Sequence, residues 1–320
     1  MDLSALTVRL GVAITNPFVA ILQHDSPLFL PFILSTLALA VVVFAVATRG
    51  HGFSFGDFFR TYFSRSVWGH RSAIADYKFY VVNGVLFPLI VGPLIFTGSL
   101  VARGLGNWLM SVFGDGHPGG EVGSGVLLGL TVAFFVAYDL GRYLGHTLQH
   151  EIPLLWKFHK IHHSAEVLTP FTNFRSHPVD LFIMAISVNL LTGLVTGIFV
   201  FFFAGKLQLI TFFSLHILIF AYNLIGNLRH THVWLSYGPR LGYLFISPAQ
   251  HQIHHSVEPR HFGRNRGFAF AVWDWMFGTL YVPKQKEEFK MGLGDGTEPE
   301  YAGVWSMYSL PFRTLTKKEW

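Results

Sequence analysis

GVLLGLTVAFFVAYDLGRYLGHTLQH, residues 125–150, decides the fold. Its first twenty residues are apolar but for a few, and about 20 residues of helix cross a hydrocarbon core. The stretch then ends in His146 and His150, one helical turn apart and so on one face. A helix that spans a bilayer and presents two imidazoles at one end is the expectation. Working outward, residues 28–47, 80–101, 179–203 and 207–228 are long and apolar enough to cross as well. The last two are separated only by Ala204, Gly205 and Lys206, which predicts an antiparallel helical hairpin. Composition agrees with this reading. Of the 320 residues 51% are apolar and only 13% charged, and 33 are Phe, against roughly 25% charged in soluble domains. The sequence has no cysteine, which excludes disulfides, thiolate metal sites and thiol nucleophiles.

Five spans place 48–78, 145–178 and everything after 229 on one side. That side carries Arg49, Arg60, Arg65, Arg71, Lys78, Lys157, Lys160 and Arg175; the other carries Arg9, Arg103 and Lys206. Positive residues mark the cytoplasmic face. The net charge of +5 is scattered through connecting segments, so nucleic acid is not an expected partner. Residues 1–24, broken by Asn16-Pro17 and lacking a charged leader and cleavage site, read as an interfacial helix. The expected architecture is an all-α, polytopic membrane helical bundle in one domain, 1–320. Its cytoplasmic helical cap, 145–178 and 229–283, holds a histidine-rich dimetal site, and 284–320 form a cytoplasmic tail.

The histidines carry the chemistry. Beside His146 and His150 stand His159-Lys-Ile-His162-His163 and His251-Gln-Ile-His254-His255, two copies of H-x-x-H-H. On a helix these positions share a face, so each cluster is expected to aim its imidazoles at a common point. All three clusters fall on one side by span parity. Eight neutral imidazoles suit two first-row metal ions, whereas Mg and Ca take oxygen. His230 closes the fifth span on the same side and is expected as a ninth ligand; His232 is an even choice. A lone interfacial histidine is more often solvated or hydrogen-bonded than a ligand, and His24, His51, His70, His117 and His216 are read that way, with His177 and His261 between. Ligating histidines give their second nitrogen to a carboxylate or carbonyl. Asp139, Asp274, Asn227 and His177 are possible supporting groups: Asp139 by orienting a histidine or pairing with Arg142, Asp274 equally as a cap that fixes the C-terminal segment. Arg175-Ser-His177-Pro178 leads into the fourth span, its charges facing a lipid headgroup or a neighbouring carboxylate.

These residues resemble the fatty acid hydroxylase and sterol desaturase superfamily of histidine-rich membrane di-iron oxygenases. The resemblance rests on Asp139-x6-His146-x3-His150, Trp156-x2-His159-x2-His162-His163-Ser164, Asn173-x-Arg175-x-His177-Pro178, Pro248-x2-His251-x2-His254-His255 and Trp273-Asp274-x2-Phe277-Gly278-Thr279. It covers about half the chain, from Val132 to Pro283. The segment from His230-Thr231 to Ser247-Pro248 looks most like the bacterial sterol-desaturase-like and alkylglycerol monooxygenase branch, which carries His230 over as a ligand. Some fatty acid 2-hydroxylases have one more histidine four residues earlier. Gly226 stands there in this sequence, leaving that position to His232, Asn227, a water or nothing.

The resemblance implies an O2-dependent hydroxylase or desaturase acting on a lipid such as a sterol, alkylglycerol or fatty acyl chain. It implies two Fe ions, with Zn as a substitute in purified protein, and a separate electron donor of cytochrome b5 or ferredoxin type. It also implies a bacterial inner membrane, with the histidine boxes and C-terminus cytoplasmic. No catalytic residue beyond the metal ligands is expected, because lipid C–H bonds resist acid, base and nucleophile and need activated oxygen. The alternatives are a non-catalytic metal- or lipid-binding membrane protein on the same scaffold, and a metal transporter or haem carrier. A carrier would pair histidines across the bilayer midplane; here they gather at one face.

Overall fold

The computed structural model describes residues 3–114, 116–203 and 206–315, so Ala204 and Gly205 of the expected turn lie outside the described residues. Helices dominate: α1 (Leu3–Val19), α2 (Leu30–Ala47), α3 (Phe55–Tyr62), α4 (Arg65–Trp68), α5 (Arg71–Ile90), α6 (Gly98–Phe113), α7 (Ser124–Glu151), α8 (Pro153–His163), α9 (Pro178–Phe202), α10 (Ile217–Gly226), α11 (Gly238–Leu241), α12 (Pro248–His254), α13 (Val272–Phe277) and α14 (Val304–Arg313). Strands β1 (Thr211–Phe212) and β2 (Leu215–His216) form one small hairpin before α10. Among the described residues four helical segments are long and apolar enough to cross a membrane: α2, the α5–α6 run, α7 and α9. Leu34, Val42, Leu128, Val132, Leu190 and Ile198 on them are exposed, as side chains facing lipid would be.

Small residues let α6, α7 and α9 pack closely. A Cβ on Gly193 of α9 would lie 2.5 Å from Val101 Cβ and 2.6 Å from Gly98 O of α6. One on Gly141 of α7 would lie 2.8 Å from Val188 Cα of α9. Backbones in such contact are the usual packing mode of helices in lipid, where apolar side chains gain little by touching one another. The α7–α9 approach sets the site, since α7 carries His146 and His150 in its last turns and α9 carries Asp180 in its first.

Two expected spans are corrected. The stretch 80–101 is not one helix. Pro88 lies inside α5, and Gly92 and Pro93 form a 3-10 turn between α5 and α6, where proline withholds the N–H that a continuous helix needs. The stretch 207–228 is not a helix of span length, and the predicted helical hairpin is absent. Its helical part, α10, has ten residues, about 15 Å. The return from the far end of the bundle is instead composite. Phe201 O and Phe202 O accept from His117 N and Gly119 N near the start of α7. Ile210 N donates to Thr131 Oγ1 and His216 Nε2 to Thr131 O, about two turns along α7. After α10, Arg229 reaches His251. The hairpin turn is Phe213-Ser214, with φ of 48° and 59°, both in the left-handed region that a two-residue β-turn requires. The parity that brings the histidine clusters together therefore survives the loss of the fifth helix.

The expected tail is also corrected. Residues 284–315 are a strap packed on the cap, in which Tyr301 and Met307 are buried with Ala75, Phe79 and Ile161. Lys160 Nζ meets Asp295 Oδ2 at 2.7 Å, and Met291 pairs with Ser256.

Candidate metal centre

Five imidazoles, of His146, His150, His159, His163 and His254, bring one nitrogen each to within 4.8 Å of one another. Four more, of His162, His230, His251 and His255, do the same beside them. The nine are the nine expected. Their division is not as expected, because each H-x-x-H-H splits between two points. His159 and His163 serve the first group and His162 the second; His251 and His255 serve the second and His254 the first. Helical geometry explains it. Positions i and i+4 lie about 40° apart around the axis, whereas i+3 lies about 100° from i+4 and faces a different point. Rings of the two groups touch: His163 stacks on His255 with centroids 4.7 Å apart.

Each carrier segment is fixed locally. Pro153 opens α8 just after α7 ends at Glu151, a residue suited to the first helical turn. A capping box of Ser247 and Gln250 with Pro248 starts α12. Gln252 Nε2 donates to Thr231 O and Val233 O at 2.9 and 2.8 Å, which ties α12 to the segment bearing His230.

The outward ring nitrogens are held too. His146 Nδ1 donates to Arg266 O at 2.8 Å, His254 Nδ1 to Arg264 O at 2.7 Å, and His159 Nδ1 to Asp180 Oδ1 at 2.9 Å. With the proton on Nδ1, the Nε2 lone pair points inward. His251 differs, since Arg229 Nη2 donates to its Nδ1 at 3.0 Å. Burial first, and neighbouring imidazoles second, disfavour the charged form of six of the rings. His162 is held down to about 3, and His163, His230, His251, His254 and His255 lie well below the ordinary value.

Residues weighed as extra ligands or supports fall elsewhere. His232 belongs to neither group; its ring lies 5.5 Å from that of Tyr62. Asn227 donates to Pro27 O at 2.6 Å. His177 accepts from Val179 N as the cap of α9. Neither Asn227 nor His232 fills the position that Gly226 leaves open. Asp139 does not touch a histidine or form an ion pair with Arg142; it accepts from Ala269 N, Phe270 N and Trp273 Nε1. Asp274 accepts from Arg266 N, Gly267 N and Thr279 Oγ1. These two carboxylates hold the 264–274 loop whose carbonyls receive His146 and His254, so they support the rings at one remove. The sequence reading missed Asp180, whose only signal was its place in the first turn after His177-Pro178. It also missed Arg229, hidden beside His230, and the backbone carbonyls, which carry no sequence signal.

A cavity of about 280 Å³ opens against both groups, lined also by Asn83, Arg142, Asn173, Phe174, Leu181 and Met184. Asn83, Phe174 and Leu181 also line a second cavity of about 480 Å³, which runs to Pro17 and Phe87.

Residues 131–279 match the fatty acid hydroxylase family. The chain is 31% identical over 195 residues to the ornithine lipid hydroxylase OlsE of Rhizobium tropici, covering 61% of this chain and 52% of that protein. It is 27% identical over 187 residues to alkylglycerol monooxygenase of Danio rerio, covering 58% of this chain and 37% of that one. It is 30% identical over 164 residues to a putative Delta(7)-sterol-C5(6)-desaturase 2 of Arabidopsis thaliana, covering 49% and 50%. The chain spans about half or less of the length of these relatives, and no solved structure matches it. With its long apolar helices and paired histidine groups, the chain has the membrane, metal-binding, histidine-box character of the fatty acid hydroxylase and sterol desaturase type, which its residues 131–279 resemble.

Proposed function

We propose that the protein oxidises a lipid with dioxygen at two iron ions, one held by His146, His150, His159, His163 and His254, the other by His162, His230, His251 and His255. The observation that carries this reading is the convergence of nine imidazoles on two adjacent points at a cavity wall. The donor set fits the ions. His146 Nε2 lies 3.0 Å from His159 Nε2 and 3.1 Å from His254 Nε2, and His251 Nε2 lies 2.9 Å from His230 Nε2. Metal–nitrogen bonds of about 2.1 Å at right angles put neighbouring nitrogens about 3.0 Å apart. The buried Nε2 of His163 has no protein partner. Imidazole equally binds Zn, which is expected as a substitute in purified protein.

Bound iron would supply the activation of dioxygen that a lipid C–H bond requires. The chain's part is to hold and shield. Asp180 and the Arg264 and Arg266 carbonyls keep protons on Nδ1 of their histidines. Arg229 holds the ring of His251 from its other side, donating to Nδ1 at 3.0 Å, and would fix its orientation in the second group. The relatives named as hydroxylase and monooxygenase favour hydroxylation; the sterol desaturases keep desaturation as the second outcome. Electrons come from a separate protein of cytochrome b5 or ferredoxin type, and the histidine side, rich in Lys and Arg, faces the cytoplasm.

The test is metal analysis of purified protein together with mass spectrometry of lipids incubated with it, a reductant and O2. About two metals per chain and a reductant-dependent gain of one oxygen are expected; a loss of two hydrogens means desaturation. One metal or none, or unchanged lipids in a metal-loaded sample, refutes the proposal.

Asp180→Asn keeps the shape but removes the charge behind His159. Supporting partners of this kind carry about 10–100-fold in metal affinity, so a chelator titration should strip the variant at correspondingly lower chelator concentration.

Protein stripped of metal should also be acid-sensitive. The unfolded chain takes up protons on histidine below about pH 6.5, while burial keeps these rings neutral in the folded state, His162 down to about 3. Stability is therefore fully present above about 6.5 and falls as pH drops below it. A melting midpoint of the stripped protein that stays level from pH 8 to 5 would contradict this.

A further inference from the structure

Arg142 and Arg229 are two guanidinium groups on the wall of the cavity beside the histidines; among the described residues neither forms an ion pair, although Asp180 lines the same cavity and the charge of Asp139 is felt at Arg142. Arg229 is 7% exposed. Its hydrogen bonds run to Tyr222 Oη at 2.5 Å, to Gly267 O at 3.3 Å and to His251 Nδ1, all neutral, and its Nε has no partner. Arg142 sits on α7 one turn before His146, with a buried Nε that likewise has no partner. Its contacts are the faces of Phe268, 4.0 Å from the ring centre, and Tyr138, at 5.9 Å. Arg229 lies 4.8 Å from the same Phe268 ring, so one phenyl group gathers both cations.

The nearby acids are engaged elsewhere or exposed to solvent, Asp25 being the exposed one, on the wall of a neighbouring cavity that both arginines also line. Asp139 accepts from three N–H groups of the 269–273 segment, Asp180 is bound to His159, and Glu151 pairs with Arg266 at 2.6 Å. A charge held away from water without a counter-ion is costly, and an ionisable group at membrane depth that lacks a partner points to a ligand of opposite sign. Asn83 and Asn173 add amides to the same wall, and from there the second cavity leads away past Phe174 and Leu181.

We infer that the cavity takes a lipid with an anionic head, a carboxylate or a phosphate, held by Arg142 and Arg229 next to the histidines, with its tail along Phe174, Leu181 and Phe87. Two guanidinium groups match either oxyanion. The arrangement places the oxidised carbon near the head of the lipid rather than far down its tail. The inference rests on the lipid-oxidation reading for taking this cavity as the substrate site; anion binding itself can be measured without turnover.

The experiment is equilibrium binding to the purified, metal-loaded full chain in detergent of three lipids with one palmitoyl tail: palmitate, palmitoyl lysophosphatidate and neutral monopalmitoylglycerol. At least one anionic lipid should bind about tenfold or more tightly than the neutral one, the scale of a charge-assisted contact; which one does so identifies carboxylate or phosphate. Arg142, which touches no histidine, gives the clean variant: R142Q should remove the preference, R142K keep it, and both retain their metal. N173D, which adds a negative charge to the wall and leaves both arginines in place, should weaken anionic binding alone and serves if R142Q fails to fold. Equal binding of the three lipids, or a preference that survives R142Q or N173D, overturns the inference. Protein that purifies without metal and cannot be loaded with it, yet still prefers the anion, would instead refute the dimetal reading and leave this one standing.

Discussion

Replacing His254 by alanine is expected to lower the bound metal from about two ions per chain to about one and to remove the activity. His254 is central to the group of five: its Nε2 lies 3.1 Å from His146 Nε2 and 3.2 Å from His150 Nε2, and its Nδ1 is fixed by Arg264 O. The alanine takes away a donor and leaves a hole that His146 and His159, tied to Arg266 O and Asp180, cannot close. Supporting residues alone are worth about 10–100-fold, so loss of a direct ligand should exceed about 100-fold. His162→Ala should do the same to the group of four. His232→Ala is the matched control, because His232 lies against Tyr62 outside both groups. It removes an imidazole two residues from His230 and should leave both metals in place. If His232→Ala strips metal as His254→Ala does, or if His254→Ala retains two ions, the assignment of donors is wrong.

How far the site could be read from the residues follows from what kind of information each part carries. Histidine spacing is local, and it picks out eight of the nine imidazoles that converge; His230 enters from its place at the end of an apolar stretch and from the family resemblance. The split of each H-x-x-H-H into two groups is equally local, fixed by the 100° between i+3 and i+4, since residues on a shared face need not aim at a shared point. Apolar length located α2, α7 and α9. It failed at 80–101, where Gly92-Pro93 interrupts an apolar run, and at 207–228, where hydropathy does not distinguish a spanning helix from a buried hairpin and a short helix. Phe213-Ser214 offers none of the glycine or asparagine that marks a two-residue turn. Contacts made by the backbone, such as Arg266 O with His146, depend on where 264–267 comes to lie and not on which residues occupy it. The strap 284–315 reads as a polar tail because the residues that bury it, Tyr301 and Met307 with Gly292 and Pro311, are few and scattered among polar and charged ones.

Arg175→Met should produce the largest loss of stability of any single change outside the histidine groups. Arg175 is 1% exposed and Asp76 fully buried, and they meet at 2.7 Å. The guanidinium also donates to Ile161 O, Ser164 Oγ and Tyr301 O, so one side chain joins α5, the end of α8 that carries His162 and His163, and the C-terminal strap. Of the two surroundings weighed for it, a headgroup or a carboxylate, the structure gives the carboxylate. Methionine fills much of the volume but leaves Asp76 with Thr172 Oγ1 as its remaining donor, at 2.7 Å. Removing one partner of a buried ion pair costs about 3–5 kcal/mol, whereas replacing both by apolar groups is often close to neutral. The single variant should therefore melt far below the parent in detergent and lose metal as the end of α8 loosens. Arg175→Met combined with Asp76→Leu should recover much of the melting temperature. Recovery of the fold without recovery of metal would show that the pair also sets the positions of His162 and His163. A double variant no more stable than Arg175→Met would mean that the guanidinium's bonds to the carbonyls, and not its charge pairing, hold the cap together.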